Sequence, residues 1–218
     1  ALRAEKAVAP PDWGVFFTRS TMPRLIRPVL LALVSAFALA ACAELRPAAE
    51  PVAEPVMRWD HRPEAAIWTR ASMEMLNSDA AILTQVVPSD AEDWCPGYTH
   101  ADAETRAAFW VGFMSALARY ESTWNPDAVG GGGRWFGLLQ ISPATARYRN
   151  CAVGTGSALR DGAANLRCAL RIMAVTVPRD GVVSQGRRGV AADWGPMRDP
   201  AKAAEMRAWL HRQSYCQG

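Results

Sequence analysis

The sequence predicts a mainly α-helical, single-domain protein with at most a small β-hairpin. Apolar residues recur at three- and four-residue steps along several segments, as they do on the buried face of a helix. Alternating apolar and polar residues, the pattern of a strand, are almost absent. Ser, Asp and Pro stand where these helices would begin.

The first helices are predicted from about residue 63 onward. Pro63 suits a first helical turn, and a short helix over residues 80–87 follows. Asp102 can cap a long helix from Ala103 to about Tyr120. We interpret the apolar stripe of this helix as core packing; its members are Phe109, Trp110, Phe113, Met114, Leu117 and Tyr120.

The later helices have similar start signals. Ser142 and Asp161 are good N-caps, and Pro143 suits a first helical position. Residues 178–189 are expected to form a Gly- and Arg-rich loop, and a short hairpin is possible near residues 130–140. The predicted helices are 143–149, 161–173, 190–196 and 200–212.

The N-terminal part has the composition of an export signal followed by a tether. Residues 22–41 join a positive start to an apolar run shorter than the roughly 20 residues of a membrane-spanning helix. Because Met22 looks like the true start, we expect residues 1–21 to be a non-native extension. Residues 42–60, rich in Ala, Pro and Glu, are expected to be a flexible tether to a domain covering residues 61–218.

The end of the apolar run, Leu39-Ala40-Ala41-Cys42, resembles a lipobox. This resemblance implies cleavage before Cys42 and attachment of lipid to its thiol, and thus a membrane anchor. The alternative is an ordinary signal peptide that is cut near Ala41. Residue 43 is Ala and not Asp, which in Gram-negative lipoproteins signals retention in the inner membrane. We therefore expect the outer membrane, facing the periplasm.

The four remaining cysteines predict two disulfides, because an even number in an exported protein indicates pairing. Three pairings are possible. We prefer Cys151–Cys168, which closes a local loop, and Cys95–Cys216, which ties the C-terminal tail to the front of the domain. No metal or cofactor is expected, because no C-x-x-C occurs and the histidines lie far apart. These are His61, His100 and His211, which we expect at the surface or at helix caps.

One acidic residue, Glu121, comes directly after the aromatic stripe, on the core-facing side of the helix end. Burying a carboxyl is costly without a partner or a purpose. A carboxyl that apolar neighbours keep protonated is what acid-catalysed cleavage of a glycosidic bond needs. The glycine run 130–133 is not a phosphate-binding loop, because no Lys-Ser/Thr pair follows it. A net charge of +3 without a basic block also gives no indication of a nucleic-acid partner.

Three motifs, taken together, resemble those of soluble-lytic-transglycosylase (SLT) domains. They are Glu121-Ser122, the segment 137–146 (GLLQISPATA), and the segment 161–166 (DGAANL) with its buried Asn. The resemblance covers about residues 105–197. It implies a lysozyme-like fold of the SLT or goose-type class, and it implies peptidoglycan glycan strands as the partner.

The resemblance also assigns roles to residues. Glu121 would be the sole acid/base of a lyase that cleaves the β-1,4 bond between MurNAc and GlcNAc and leaves 1,6-anhydroMurNAc. Ser122 would support the Glu121 loop. Gln140 and the backbone around Gly137 and Leu138 would line the sugar groove.

The sequence also departs from the family pattern. A late motif, A-Y-N-A-G in the family, is AADWG at residues 191–195, so Ala192 stands where the family has a Tyr near the catalytic Glu. Trp194 and Tyr148 are candidates to take its place. A common groove Ser is replaced by glycine near Gly130. Three tryptophans could stack on sugar faces, although Trp is more often structural; they are Trp124, Trp135 and Trp194.

Two other functions fit the same residues. A hydrolytic muramidase would need a second carboxylate, for which Asp127 and Asp193 are the candidates. A non-catalytic, peptidoglycan-binding lipoprotein would explain the altered Tyr motif, but it leaves the intact Glu121 without a role.

Overall fold

The computed structural model describes residues 54–217, and in that range it has seven α-helices and two short hairpins. The helices are α1 (Ala65–Leu76), α2 (Ile82–Gln85), α3 (Ala91–Trp94), α4 (Ala103–Ser122), α5 (Pro143–Tyr148), α6 (Gly162–Asp180) and α7 (Pro200–Leu210). Strand β1 (Val129–Gly130) pairs antiparallel with β2 (Trp135–Phe136), and β3 (Ser184–Gln185) pairs antiparallel with β4 (Arg188–Gly189). The mainly helical prediction is therefore confirmed, with one more hairpin than expected.

Helix α4 forms the centre of the core. Every residue from Ala107 to Ala118 is buried, and helices α1, α2 and α7 pack around it. Its polar atoms have partners inside the core; the indole N–H of Trp110 donates to the backbone oxygen of Leu83 at 3.0 Å. A helix that is apolar on all sides can be stable only when other elements cover it completely.

The predicted helix starts are confirmed. Asp102, Ser142 and Asp161 each accept a hydrogen bond from the backbone N–H three residues later, at 2.8 to 3.0 Å. Each therefore satisfies one of the N–H groups that a helix leaves unpaired at its start. Asp199 caps α7 in the same way.

The predicted loop at 178–189 is partly wrong. Helix α6 continues past Met173 to Asp180 and includes Pro178 in its last turns. The rest of the segment forms the β3–β4 hairpin, which side chains elsewhere hold in place: Asp90, just before α3, accepts the N–H of Val183 and, at 3.0 Å, the N–H of Ser184. These long-range partners stabilise a structure that local sequence patterns do not indicate. The short helix expected over 190–196 is two 3-10 turns, Val190–Ala192 and Gly195–Arg198.

The boundary predicted at residue 61 is too late. Met57 and Trp59 are buried in the core, and the indole N–H of Trp59 donates to the hydroxyl of Thr69 at 3.0 Å. Residues 57–60 therefore belong to the domain and not to a flexible tether. The predicted extension, signal peptide, lipidated Cys42 and most of the tether lie outside the described residues. Between residues 54 and 217, no helix is both long and apolar enough to cross a membrane.

The structure contains two disulfides, Cys95–Cys216 and Cys151–Cys168, which is the pairing that the sequence favoured. The first joins residues 121 apart in the chain and the second joins residues 17 apart. In the chain-entropy model a loop as short as the second contributes about 3 kcal/mol of stability, and the longer loop contributes somewhat more.

Candidate active site

Glu121 lies in the last turn of α4, at the edge of the buried core. No other group in residues 54–217 forms a hydrogen bond or ion pair with its carboxyl. Burial raises the pKa of Glu121 to about 7, because removal from water disfavours the charged form. The positive charge of Lys202 on α7 opposes this shift but does not cancel it. Glu121 is therefore a carboxyl that can hold a proton near neutral pH.

The chain leaves α4 through a strained turn. Thr123 and Trp124 have positive φ angles of 52° and 57°, a backbone conformation that residues other than glycine seldom adopt. The indole N–H of Trp124 donates to the backbone oxygen of Ser115 at 2.8 Å, and the ring of His61 packs edge-on against it at 4.7 Å. These contacts hold the turn, and with it the end of the helix that carries Glu121.

Ser122 is bound within its own helix. Its hydroxyl donates to the backbone oxygen of Ala118 at 3.3 Å. Its own carbonyl accepts the N–H of Asn125 in the following turn. These hydrogen bonds are local to the helix end, and the support of the Glu121 loop by Ser122 stays a prediction.

Asn165 on α6 anchors the segment that follows the β1–β2 hairpin. It is fully buried, and its amide nitrogen donates to the backbone oxygens of Phe136 and Leu159, both at 2.9 Å. Its amide oxygen accepts the N–H of Leu139 at 2.9 Å. One side chain therefore satisfies three buried backbone groups and fixes the loop against α6.

Two glycines that precede Gln140, Gly130 and Gly137, leave no room for a side chain. Gly137 has a φ of +79°, and a Cβ there would come within 2.1 Å of the backbone oxygen of Leu159. The amide nitrogen of Gln140 donates to the backbone oxygens of Ala128 and Gly137, at 3.2 and 2.9 Å. Its amide oxygen would lie 2.2 Å from a Cβ at Gly130. The glycine near the expected groove Ser thus makes room for Gln140.

Trp194 is a core residue and not an exposed platform. Only 4% of it is exposed, and its indole N–H donates to the backbone oxygen of Leu139 at 2.9 Å. Leu138 is fully buried as well, so its side chain packs in the core. Among the three tryptophans considered for stacking, Trp135 is the one with a largely open ring, at 42% exposure. It stands on β2 with the Arg134 guanidinium 4.9 Å from its centroid.

A small cleft of about 60 Å³ joins several predicted residues, although Glu121 is not among those that line it. Its walls include Trp135, Gln140, Ser142, Thr145, Asp193 and Trp194. Gly137, Leu138 and Ser122 do not line it. Of the predicted sugar-binding residues, Gln140 and Trp194 thus line this cleft, and the contact of each predicted residue with glycan stays a prediction.

Ala192 stands where the family has a Tyr, and two residues are candidates to take the role of that Tyr. Ala192 lies in a 3-10 turn, and its carbonyl accepts a hydrogen bond from Arg198 at 2.9 Å. Of the two candidates for its role, Trp194 is in the core and Tyr148 projects into solvent. Neither forms a hydrogen bond to Glu121 in the described residues, so the substitution by one of them remains a prediction.

The two other carboxylates differ in their surroundings. Asp127 is exposed and pairs with Arg160 at 2.9 Å. Desolvation raises the pKa of Asp193, and the charges of Arg149, Arg179 and Arg198 oppose that rise. Asp193 lines the small cleft, whereas Asp127 does not.

A charged cluster beside Glu121 was missed in the sequence. Glu205 on α7 accepts hydrogen bonds from Arg58 at 2.7 Å, from Tyr120 at 2.6 Å and from Arg119 at 3.1 Å. The Arg58 hydrogen bond, with help from Tyr120 and both arginine charges, lowers the pKa of Glu205 to about 2. Arg58 lies in the segment predicted to be a tether, and no short motif links it to Glu205.

Comparisons with known proteins identify a matching domain family and similar folds. Residues 99–180 match the family model described as Transglycosylase SLT domain. A solved structure of a Glu-to-Gln mutant of Bd0314 DslA is similar, with a TM-score of 0.68 and 26% identity over 75% of this chain and 99% of that chain. Wild-type form 2 of Bd0314 DslA gives a TM-score of 0.66 at 26% identity, with the same coverage. A search of curated proteins found no significant match.

The Asn165 anchor gives a first prediction. Replacing Asn165 with Ala should lower the free energy of unfolding by about 3 kcal/mol or more, since each buried group left unpaired costs about 1–3 kcal/mol. Asn165→Asp should be at least as damaging, because a carboxylate cannot donate to two carbonyl oxygens. Urea unfolding measures both. Asn77→Ala at the exposed end of α1 is the control and should change stability by less than about 1 kcal/mol. A near-native Asn165→Ala protein would contradict the anchoring role.

Proposed function

Because residues 99–180 carry a transglycosylase SLT domain on a lysozyme-like fold, we propose that this protein is a peptidoglycan lytic transglycosylase with Glu121 as its acid/base. The observation that carries the proposal is the state of Glu121: a carboxyl without a partner among the described residues, at the end of a buried helix, with a pKa raised to about 7. A group that titrates near the working pH can both give and take a proton.

The reaction would use one carboxyl twice. Protonated Glu121 donates its proton to the glycosidic oxygen between MurNAc and GlcNAc, and the bond from this oxygen to C1 of MurNAc breaks. Glu121, now a carboxylate, accepts the proton of the C6 hydroxyl of the same MurNAc while that oxygen bonds to C1. The products are a 1,6-anhydro end and a GlcNAc hydroxyl, and Glu121 recovers its proton without consuming water.

The surroundings of the other acids favour ring closure over hydrolysis. Hydrolases of glycosidic bonds normally need a second, ionised carboxylate as nucleophile or base. Asp127 is held by Arg160 on an exposed surface. Desolvation raises the pKa of Asp193, and the charges of Arg149, Arg179 and Arg198 oppose that rise. A muramidase that uses Asp193 is therefore the second candidate, because this carboxyl lines the cleft.

The region of the small cleft offers a surface for sugars. The exposed part of the Trp135 ring can contact the apolar face of a pyranose ring, and Ser142 and Thr145 line the cleft beside it. Gln140 supports this surface by holding the hairpin and is not itself required to contact the glycan. The domain would act where peptidoglycan lies, outside the cytoplasm, which suits a chain with two disulfides.

Product analysis of a Glu121→Gln variant tests the proposal. The amide is nearly isosteric with the acid but cannot deliver the proton, so cleavage of purified peptidoglycan should fall by about 10²–10⁴-fold. Glu104→Gln, at the exposed start of the same helix, is the matched control and should keep full activity. Mass spectrometry of the wild-type products should show anhydro ends. Reducing ends one water heavier would support the muramidase, and no release of muropeptides would support the binding protein.

The pKa of Glu121 predicts how both activity and stability depend on pH. Activity should decline as pH rises through about 7, because the acid form is lost. The folded protein holds this proton more tightly than the unfolded chain, where the carboxyl has an ordinary pKa near 4.5. Stability from the protonated carboxyl is therefore fully present below pH 4.5 and is lost as pH rises through about 7.

Glu121→Gln does not undergo that loss. At pH 8 it should be more stable than the wild type by on the order of 2 kcal/mol, or several degrees in Tm, and the difference should vanish near pH 4. Thermal unfolding at both pH values measures this, with Glu104→Gln expected to follow the wild type. If Glu121→Gln were less stable at pH 8, the carboxylate would have a partner and the proposed desolvation would be wrong.

We also propose that the protein is anchored to the outer membrane by lipid on Cys42, on the basis of the lipobox resemblance. Labelling cells with a fatty-acid analogue should mark the wild-type protein and leave Cys42→Ala unlabelled. Ala43→Asp is the matched variant; it should still be labelled but move to the inner-membrane fraction. An unlabelled wild-type protein would instead support an ordinary signal peptide.

A further inference from the structure

A cavity of about 310 Å³ lies between the β3–β4 hairpin, the 3-10 turn Gly195–Arg198 and the start of α7. We call it the hairpin cavity. Two arginines line it, Arg198 and Arg207, and none of the residues that form its walls in the described part of the chain is acidic. Arg187 stands in the adjoining hairpin turn, and Arg188 begins β4. This charge distribution favours an anion.

Arg207 is held in position but has no polar partner. Its guanidinium lies 4.3 Å from the centroid of the Trp94 ring, which fixes its plane. Its Nε atom is buried without a hydrogen bond, and no carboxylate in residues 54–217 forms an ion pair with it. A planar guanidinium fixed by an aromatic ring, with its donors unused, suits a carboxylate that accepts two parallel hydrogen bonds.

Ser184 adds a second donor without a partner. Only 5% of this residue is exposed, yet its hydroxyl oxygen has no hydrogen bond in the structure. Its backbone N–H donates to Asp90 at 3.0 Å, which fixes the residue while leaving the hydroxyl free. Leaving one buried polar group unpaired is unfavourable. Ser184 and Arg207 line the same cavity, so one bound acceptor could pair with both.

From these groups we infer that the hairpin cavity binds the carboxylate of a short peptide with small apolar side chains. Met197, Pro200 and Ala203 give the cavity an apolar wall beside the donors, which suits a carboxylate on an alkyl group better than inorganic phosphate. Arg198 adds charge but few donors, since its Nε and one terminal nitrogen already bind the carbonyls of Ala191 and Ala192.

The inference rests on the proposed function only for the source of the peptide. Peptidoglycan carries short peptides rich in alanine and ending in a carboxylate. A site that holds such a peptide would help to select strands or to position them relative to Glu121. Binding of the peptide itself does not require cleavage, so the site and the cleavage reaction can be tested separately.

The test is a titration of the disulfide-bonded protein with N-acetyl-D-alanyl-D-alanine. Binding is monitored by the NMR signal of the Trp94 indole N–H, because the Trp94 ring packs against Arg207. The dipeptide should bind and shift this resonance. Its C-terminal amide, which lacks the charge, should bind at least tenfold more weakly, and inorganic phosphate should not compete. Equal binding of the amide, competition by phosphate at similar concentration, or no binding at all would overturn the assignment.

Two variants and one control locate the binding. Arg207→Lys keeps the charge but loses the two-pronged geometry, and should weaken binding about tenfold or more. Ser184→Ala removes the unpaired hydroxyl; it should fold normally and still lose several-fold in affinity. Arg70 is exposed on α1, away from the cavity, and the Arg70→Gln variant should bind the dipeptide as the wild type does. If Ser184→Ala bound the dipeptide normally, the hydroxyl would be only a buried structural group and the inference would be wrong. Glycan cleavage by the same proteins, measured in parallel, shows whether a failure concerns this site or Glu121.

Discussion

Helix α4 can be buried on every side only because the groups that are costly to bury are gathered at its ends. Between Ala107 and Ala118 the helix has no charged residue, and its polar side chains find partners close by; the Ser115 hydroxyl donates to the backbone oxygen of Gly112 at 2.7 Å. The first acid after this stretch is Glu121. Its raised pKa therefore follows from the position where the core ends, and no separate device is needed to desolvate it.

Two loops depend on the same core for their shape. The turn after Glu121 keeps two residues at positive φ because the Trp124 indole is bound to the backbone of α4. The segment around Gly137 keeps its conformation because the Asn165 amide binds the carbonyl of Phe136 and the N–H of Leu139. The same amide also binds the carbonyl of Leu159, which packs beside this segment. Strained backbone persists only where its surroundings determine it. Side chains of the core thus hold the loops on both sides of the candidate site.

The sequence predicted those features that depend on neighbouring residues. Capping by Asp102, Ser142 and Asp161 is a local interaction, and so is the apolar stripe of α4; the structure confirms both. Features that depend on distant partners were missed or misassigned. Trp194 is a residue type that often stacks on sugars, but its indole N–H is bound to the carbonyl of Leu139, 55 residues away in the chain. Residues 57–60 look like a Pro-rich tether, yet Trp59 fills a place in the core that only the folded chain creates.

Glu121 and Glu205 have opposite surroundings, which supports the proposed role of Glu121. Both acids lie at the contact between α4 and α7, and Tyr120, next to Glu121 in the chain, donates to Glu205 at 2.6 Å. Hydrogen bonds from Arg58 and Tyr120 lower the pKa of Glu205 to about 2, whereas burial raises the pKa of Glu121 to about 7. Environments that separate the pKa values of two neighbouring carboxyls assign their roles. Glu205 is a permanent anion that holds three side chains together. Of these two, only Glu121 can hold a proton near neutral pH, as the proposed acid/base must.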